Sequence, residues 1–192
     1  MRFIVSTSTL LKQLQAVNGA SSSSTVLPIL ENFLFEIKDG SLVISATDLQ
    51  TSMTTSLAVE SKEEGKVAVP AKILLETLKT LPDQPIAFNI DDQTFAIEIS
   101  AGDGKYKLSG ENGEDFPKIP TVENASAVNI PASVLSQAIN KTLFAVSNDE
   151  LRPNMTGVFC QLNSESVTFV ATDGHKLVRY RRKDAKSPSS SS

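Results

Sequence analysis

The stretch LPILENFLFEIKDGSLVISATD, Leu27 to Asp48, recurs without gaps as RPNMTGVFCQLNSESVTFVATD, Arg152 to Asp173. Five of the twenty-two pairs are identical: Pro28/Pro153, Ser41/Ser166, Ala46/Ala171, Thr47/Thr172 and Asp48/Asp173. The apolar alternation agrees as well. Phe33, Phe35 and Ile37 fall on Val158, Cys160 and Leu162, while Leu42, Ile44 and Ala46 fall on Val167, Phe169 and Ala171. Alternate residues of a strand share a face, so the match preserves which side is buried. The same offset of 125 residues pairs Phe3 and Val5 with Val128 and Ile130, and Leu10 and Leu14 with Leu135 and Ile139. That period is far beyond the roughly 20–50 residues of a solenoid repeat. The reading is a duplicated domain, a complete copy over 1–120 and the opening half of a second over 121–192. Ser192 corresponds to Val67, and the closing Ser187-Pro188-Ser189 to Ser192 has a flexible-loop composition. The chain is therefore expected to be a fragment cut in a loop.

Working outward, Arg2–Ser6 reads as a strand. Ser8 or Thr7 is suited to cap a helix bearing Leu10, Leu11, Leu14 and Val17, which Gly19 is placed to end. Glu31–Lys38 and Ser41–Thr47 form a hairpin turned at Asp39-Gly40. Thr51–Val59 and Lys66–Val69 are further strands. Pro70 starts a second helix with Ile73, Leu74, Leu75, Leu78 and Leu81 on its apolar side, closed by Pro82. Pro85–Asp91 and Thr94–Ser100, turned at Asp91-Asp92, and Lys105–Ser109 complete the module. The order β-α-β-β-β-β-α-β-β-β, with two amphipathic helices against sheet, is an α+β architecture. The second copy repeats the opening: strand 127–130, helix 132–145, and strands near 157–163, 166–172 and 175–182. Residues 111–126, with Gly113, Pro117 and Pro120, read as the interdomain connection.

Composition bounds the chemistry. The 192 residues are 40% hydrophobic and 21% charged, ordinary for a globular protein, with a net charge of −4. That balance argues against a protein that coats nucleic acid by bulk positive charge, though not against one basic surface. No apolar run is long enough for a bilayer, and Met1 leads straight into a strand, so a cytoplasmic protein without membrane association is expected. Cys160 is the single cysteine, which excludes an intrachain disulfide and a cysteine-based metal site. Its place in an alternating run suits a small buried hydrophobe. His175 beside Asp173 invites a general-base reading, but no nucleophile or metal cluster accompanies the pair. No catalytic residue, metal or cofactor is expected. Asp48 and Asp173 recur because an Asp side chain bonds nearby backbone in a turn.

Five segments carry a resemblance: Leu27-Pro28-Ile29-Leu30-Glu31-Asn32, Ala46-Thr47-Asp48-Leu49, Val69-Pro70-Ala71, Asp115-Phe116-Pro117 and Ala171-Thr172-Asp173-Gly174-His175-Lys176-Leu177. In this order and on these elements, they are similar to the beta subunit of bacterial DNA polymerase III, the beta sliding clamp, from Met1 to about Arg182. The resemblance implies the DNA-clamp fold, with three such domains per subunit and two subunits per ring. Duplex DNA passes through the hole without base readout, helices line it, and sheets form the outer wall. Implied partners are DNA polymerase III, clamp loader subunits, and other polymerases and repair proteins that dock short peptides.

The implied sites follow residue by residue. Lys12, Gln15, Lys72, Lys79 and Lys141 lie on polar helix faces that would meet phosphates; a solvated face is the plain alternative. Family clamps often place an arginine in the loop that is Ser21–Ser24 here, and Ser24 does not supply that charge. Arg152, in the matching loop of the second copy, has two open places, toward DNA or at the border of a peptide pocket. That pocket takes Met155, Thr172, Gly174, His175, Lys176 and Leu177, with Lys176 where an arginine is common and planar bidentate geometry is lost. Lys105, Tyr106, Lys107 and Leu108 match the edge strand that meets another subunit, against the alternative of an edge merely guarded by lysines. A stand-alone regulatory fragment that binds partner peptides or DNA without ring closure is the competing reading.

Overall fold

The protein is described from a computed structural model over residues 1–21, 27–61, 63–119 and 128–185. It divides into two compact units, Met1–Thr121 and Val122–Ser192. In the first, the elements run β1 Arg2–Ser6, α1 Thr7–Val17, β2 Asn32–Lys38, β3 Ser41–Thr47, β4 Ser52–Ala58, β5 Glu60–Ser61, β6 Gly65–Pro70, α2 Ala71–Thr80, β7 Pro85–Ile90, β8 Ala96–Ala101, β9 Gly104–Ser109 and β10 Glu111–Asn112. The α+β order read from the sequence is present, with two short strands, β5 and β10, added.

Two antiparallel sheets result, ordered β5-β1-β7-β8-β9 and β10-β6-β2-β3-β4. Each β-α-β-β-β half gives its first strand to the other half's meander: β1 pairs with β7, and β6 with β2. One core therefore spans both sheets and both helices. Alternation puts Phe3, Phe35 and Phe88 fully inside. Phe3 and Phe88 stack with ring centroids 4.6 Å apart, and Phe35 lies tilted 6.3 Å from each. Leu10 and Leu14 of α1 and Leu74 and Leu78 of α2 are completely buried beside them. Each such side chain contributes roughly 1.5–3 kcal/mol. The β2–β3 hairpin turns at Asp39 and Gly40 with φ 50° and 72°, the double left-handed geometry whose twist matches the strands.

Several local expectations change. No side chain at the start of α1 caps its own helix; Asp83 does so from across the fold, its Oδ1 accepting from Ser8 N–H at 3.1 Å and from Ser6 Oγ at 2.8 Å. Gly19 does not end α1, which stops at Val17 and continues as a 3-10 turn, Asn18–Ala20. Pro70 is the cap of α2 rather than its first residue, and Ile73 is half exposed on the polar side. Residues 111–116 belong to the first unit instead of to a connection. β10 pairs with β6, and Phe116 is buried with Leu34 and Ala68 on the face of that sheet away from the main core.

The second unit holds α3 Ala132–Thr142, a 3-10 turn Leu143–Ala145, and β11 Phe159–Leu162, β12 Val167–Thr172 and β13 Leu177–Arg182 in that spatial order. Its pairing register repeats that of the first unit at the same offset. Phe35↔Ile44 becomes Cys160↔Phe169, and Leu42↔Leu57 becomes Val167↔Arg182. Val134 and Ala138 of α3 cover Val167 and Phe169. Residues 128–130 form no strand, contrary to expectation. Their counterpart β1 is held chiefly by β7, and the residues equivalent to β7 fall outside the 192. Cys160 is half-buried, which raises its thiol pKa.

Candidate functional site

The polar helix faces are built by burial on the other side. With Leu10 and Leu14 inside, Lys12 and Gln15 of α1 are exposed; with Leu74 and Leu78 inside, so are Lys72, Glu76 and Lys79 of α2. Lys72 and Lys79 border one open cleft of about 360 Å³ with Asn18, Ser21, Glu31 and Glu76. It thus mixes two cations with two carboxylates, a weak and balanced field rather than a strong anion trap. Lys12 and Gln15 do not line it. The loop read as Ser21–Ser24 lies outside the described residues beyond Ser21. In the second unit Lys141 is exposed at the end of α3, its ammonium 5.2 Å from the Tyr180 ring centroid. That cation–π contact fixes the lysine without neutralising it.

A second cleft, of about 430 Å³, is confined to the second unit and bordered by Phe144, Ser147, Asp149, Arg152, His175 and Lys176, among others. Its floor is the turn between β12 and β13. The Thr172 hydroxyl donates to the Lys176 carbonyl at 2.8 Å and accepts from Gly174 N–H, while Asp173 Oδ1 accepts from the N–H groups of His175 and Lys176. The Lys176 ammonium bonds Asp173 Oδ2 at 2.7 Å. That bond first, and the two N–H groups next, hold the Asp173 carboxyl well below the usual carboxylate range. Asp173 therefore meets the His175 backbone, not its ring, and its role is to build the turn. Gly174 suits φ 88°, a left-handed conformation that favours glycine.

The cleft brings Arg152, His175 and Lys176 together. Arg152 is held by Asp149 at 3.1 Å, and its Nη1 is 3.6 Å from where a side chain on Gly174 would begin. Met155, half-buried, accepts Ser147 N–H on its carbonyl, and Leu177 is exposed at the start of β13. Phe144, Ser147 and Asp149 were absent from the residues singled out in the sequence. The only signal for them was the turn-forming Ser147-Asn148-Asp149 ahead of Arg152.

The third group lies on β9, an edge strand bonded only to β8 among the described residues. Tyr106 and Leu108 pack inward against the core of their own unit. Lys105 and Lys107 point to the other face, 3.3 and 4.0 Å from Glu98.

Two family models match along the chain: DNA polymerase III beta subunit, N-terminal domain, over residues 1–120, and the central domain of the same subunit over 129–190. The chain belongs to the DNA polymerase III beta subunit family. A beta sliding clamp of Synechococcus elongatus is 31% identical over 187 residues, covering 96% of this chain and 50% of the relative. The Bacillus subtilis DNA polymerase sliding clamp superposes with a TM-score of 0.92 at 26% identity, covering 100% of this chain and 52% of that one. A Pseudomonas aeruginosa DNA polymerase III beta subunit, solved bound to griselimycin, gives a TM-score of 0.88 at 30% identity over 100% of this chain and 52% of its own. The chain spans about half the length of the relatives it matches. Both units fall within the beta subunit family, so the duplication seen at offset 125 is the family's domain repeat.

Proposed function

We propose that this chain is part of a DNA sliding clamp, a non-catalytic processivity factor that encircles duplex DNA and tethers the replicative polymerase. The observation that carries the reading is the repeat itself: two units of one family, with identical strand register, each presenting exposed lysine on a helix whose other side is buried. Lys12, Gln15, Lys72, Lys79, Lys141 and Arg152 would meet phosphates. A few cations among carboxylates attract DNA without reading bases or arresting motion. The whole protein would close a ring as a homodimer, through β9 with Lys105, Tyr106, Lys107 and Leu108. Because Tyr106 and Leu108 already pack inward, the free backbone edge of β9 would supply the pairing.

The second-unit cleft would take a short peptide from DNA polymerase III, clamp loader subunits, other polymerases or repair proteins. Phe144 offers apolar wall, which Met155 and Leu177, next to lining residues but not lining the cleft themselves, would extend, and His175, Lys176 and Arg152 a polar rim. Thr172 and Gly174 act by shaping the turn. For the 192 residues taken alone, a second reading is a piece that binds partner peptides or DNA without closing a ring; it rests on the half-length match to the relatives.

Sedimentation of the full-length gene product tests the ring. A stable dimer is expected, weakened when the exposed Lys105 and Lys107 on β9 are both replaced by glutamate. A monomer at micromolar concentration would overturn it.

A further inference from the structure

We infer that the face of the β11-β12-β13 sheet turned away from α3 is a docking surface for an extended acidic segment of a partner protein. Five of the eight residues from Lys176 to Lys183 are lysine or arginine. Arg182 turns toward α3, where it bonds Gln137, Tyr180 and Asp184. Arg179 and Arg181 alternate onto the opposite face of β13 and are exposed, and Lys183, just past the strand's end at Arg182, is exposed as well. Among the described residues none of the three has a carboxylate within 4.0 Å, unlike Lys176 and Arg182 on the same segment.

The stripe does not depend on which residues flank the sheet. By the shared register its first-unit counterparts are Thr54, Ser56 and Ala58 on β4, which are partly or fully exposed in a complete module. Phe159, on the same face, is different: its counterpart Leu34 is roofed by Phe116, so Phe159 is no part of the stripe. A second feature points to an acceptor ligand. Thr168, paired in register with Arg181, is 3% exposed, and its hydroxyl has no hydrogen-bond partner among the described residues. A buried hydroxyl left unpaired is costly, and a carboxylate brought up by Arg181 would satisfy it once the side chains covering it move aside.

Alternate strand residues repeat at roughly 6.7 Å, the same interval as alternate residues of an extended peptide. Acidic side chains at every second position would therefore meet Arg179 and Arg181 in step, each Arg fork gripping a carboxylate, with Lys183 adding charge past the strand end. Nucleic acid is the weaker fit. Three phosphate contacts release only about three counterions.

The test uses the 192-residue chain and a labelled peptide alternating Glu and Thr, its Gln-for-Glu counterpart, and a labelled oligothymidylate. The variant R179T/R181S/K183A carries residues the first unit holds at the same register, so folding is retained and is checked by thermal unfolding; R181E serves as a second variant. The acidic peptide should bind in a salt-sensitive way and the Gln peptide should not. Both variants should weaken binding by roughly tenfold or more, while R152A/H175A, which alters the proposed peptide cleft, should leave it unchanged. Equal binding by the triple variant, or loss only in R152A/H175A, overturns the docking surface. Tighter binding of the oligonucleotide through the same three residues assigns the face to nucleic acid instead and also overturns it.

Discussion

Leu49 and Gly174 occupy one backbone position 125 residues apart, at φ 74° and φ 88°. The turns around them repeat bond for bond. Thr47 and Thr172 donate to the carbonyls of Thr51 and Lys176, and Asp48 and Asp173 accept from the N–H groups two and three residues further on. Glycine fits this conformation without strain, whereas a leucine there costs energy. Leu49 is 58% exposed, so its side chain recovers little of that cost by burial.

Leu49→Gly should therefore raise stability by about 1 kcal/mol, and Gly174→Leu should lower it by about 1–2 kcal/mol. Urea midpoints of the two variants against the parent chain measure both. A destabilised Leu49→Gly would mean that the leucine makes packing contacts that outweigh its backbone.

Asp83 caps α1 from a distance, and the Ser6 hydroxyl first, then Ser8, hold its carboxyl below the usual carboxylate range. A depressed folded-state pKa contributes stability that is present above the unfolded value of about 3.9 and is lost as pH falls through the folded value. Asp83→Asn should accordingly lower the melting temperature by a few degrees at neutral pH. The difference should shrink as the pH drops below about 4. A gap that stays constant down to strongly acid pH would show that the carboxylate charge is not what matters.

Much of this architecture was legible because the inward faces of β2, β3, β11 and β12 are written in period two, and the α1 and α2 stripes in period 3.6. What escaped had no local signature. β5 and β10 are two residues each, too short to show alternation. The segment 128–130 carries the apolar pattern of β1, but a strand exists only where a partner supplies its ladder bonds. The cap of α1 sits 75 residues away in sequence. At the candidate sites, residue types told which side chains were suited to phosphate or peptide. They did not tell that the Thr172 hydroxyl is already committed within its turn, or that Tyr106 and Leu108 face inward.

The Phe3–Phe35–Phe88 cluster ties the two sheets of the first unit together. Phe88→Ala should cost about 3–5 kcal/mol, a cavity that closed packing cannot refill. Calorimetry should show this loss in the first unit's transition. A loss below about 1.5 kcal/mol would mean that the stacked pair is not the centre of the core.

If Lys72 and Lys79 contact phosphates, replacing both by alanine should weaken DNA binding uniformly across sequences. It should also reduce the magnitude of the log affinity against log salt slope by roughly two. Fluorescence anisotropy over a salt series reads the slope. An unchanged slope with weaker binding would place the effect in structure rather than in phosphate contact.

The most direct measurement is retention on DNA by the full-length gene product after loading onto a nicked circle. The sliding-clamp account expects the protein to stay through a high-salt wash and to be lost when the circle is cut once, because a ring is held by topology rather than by contacts. Equal retention on cut and uncut DNA, or loss from both in high salt, would contradict it.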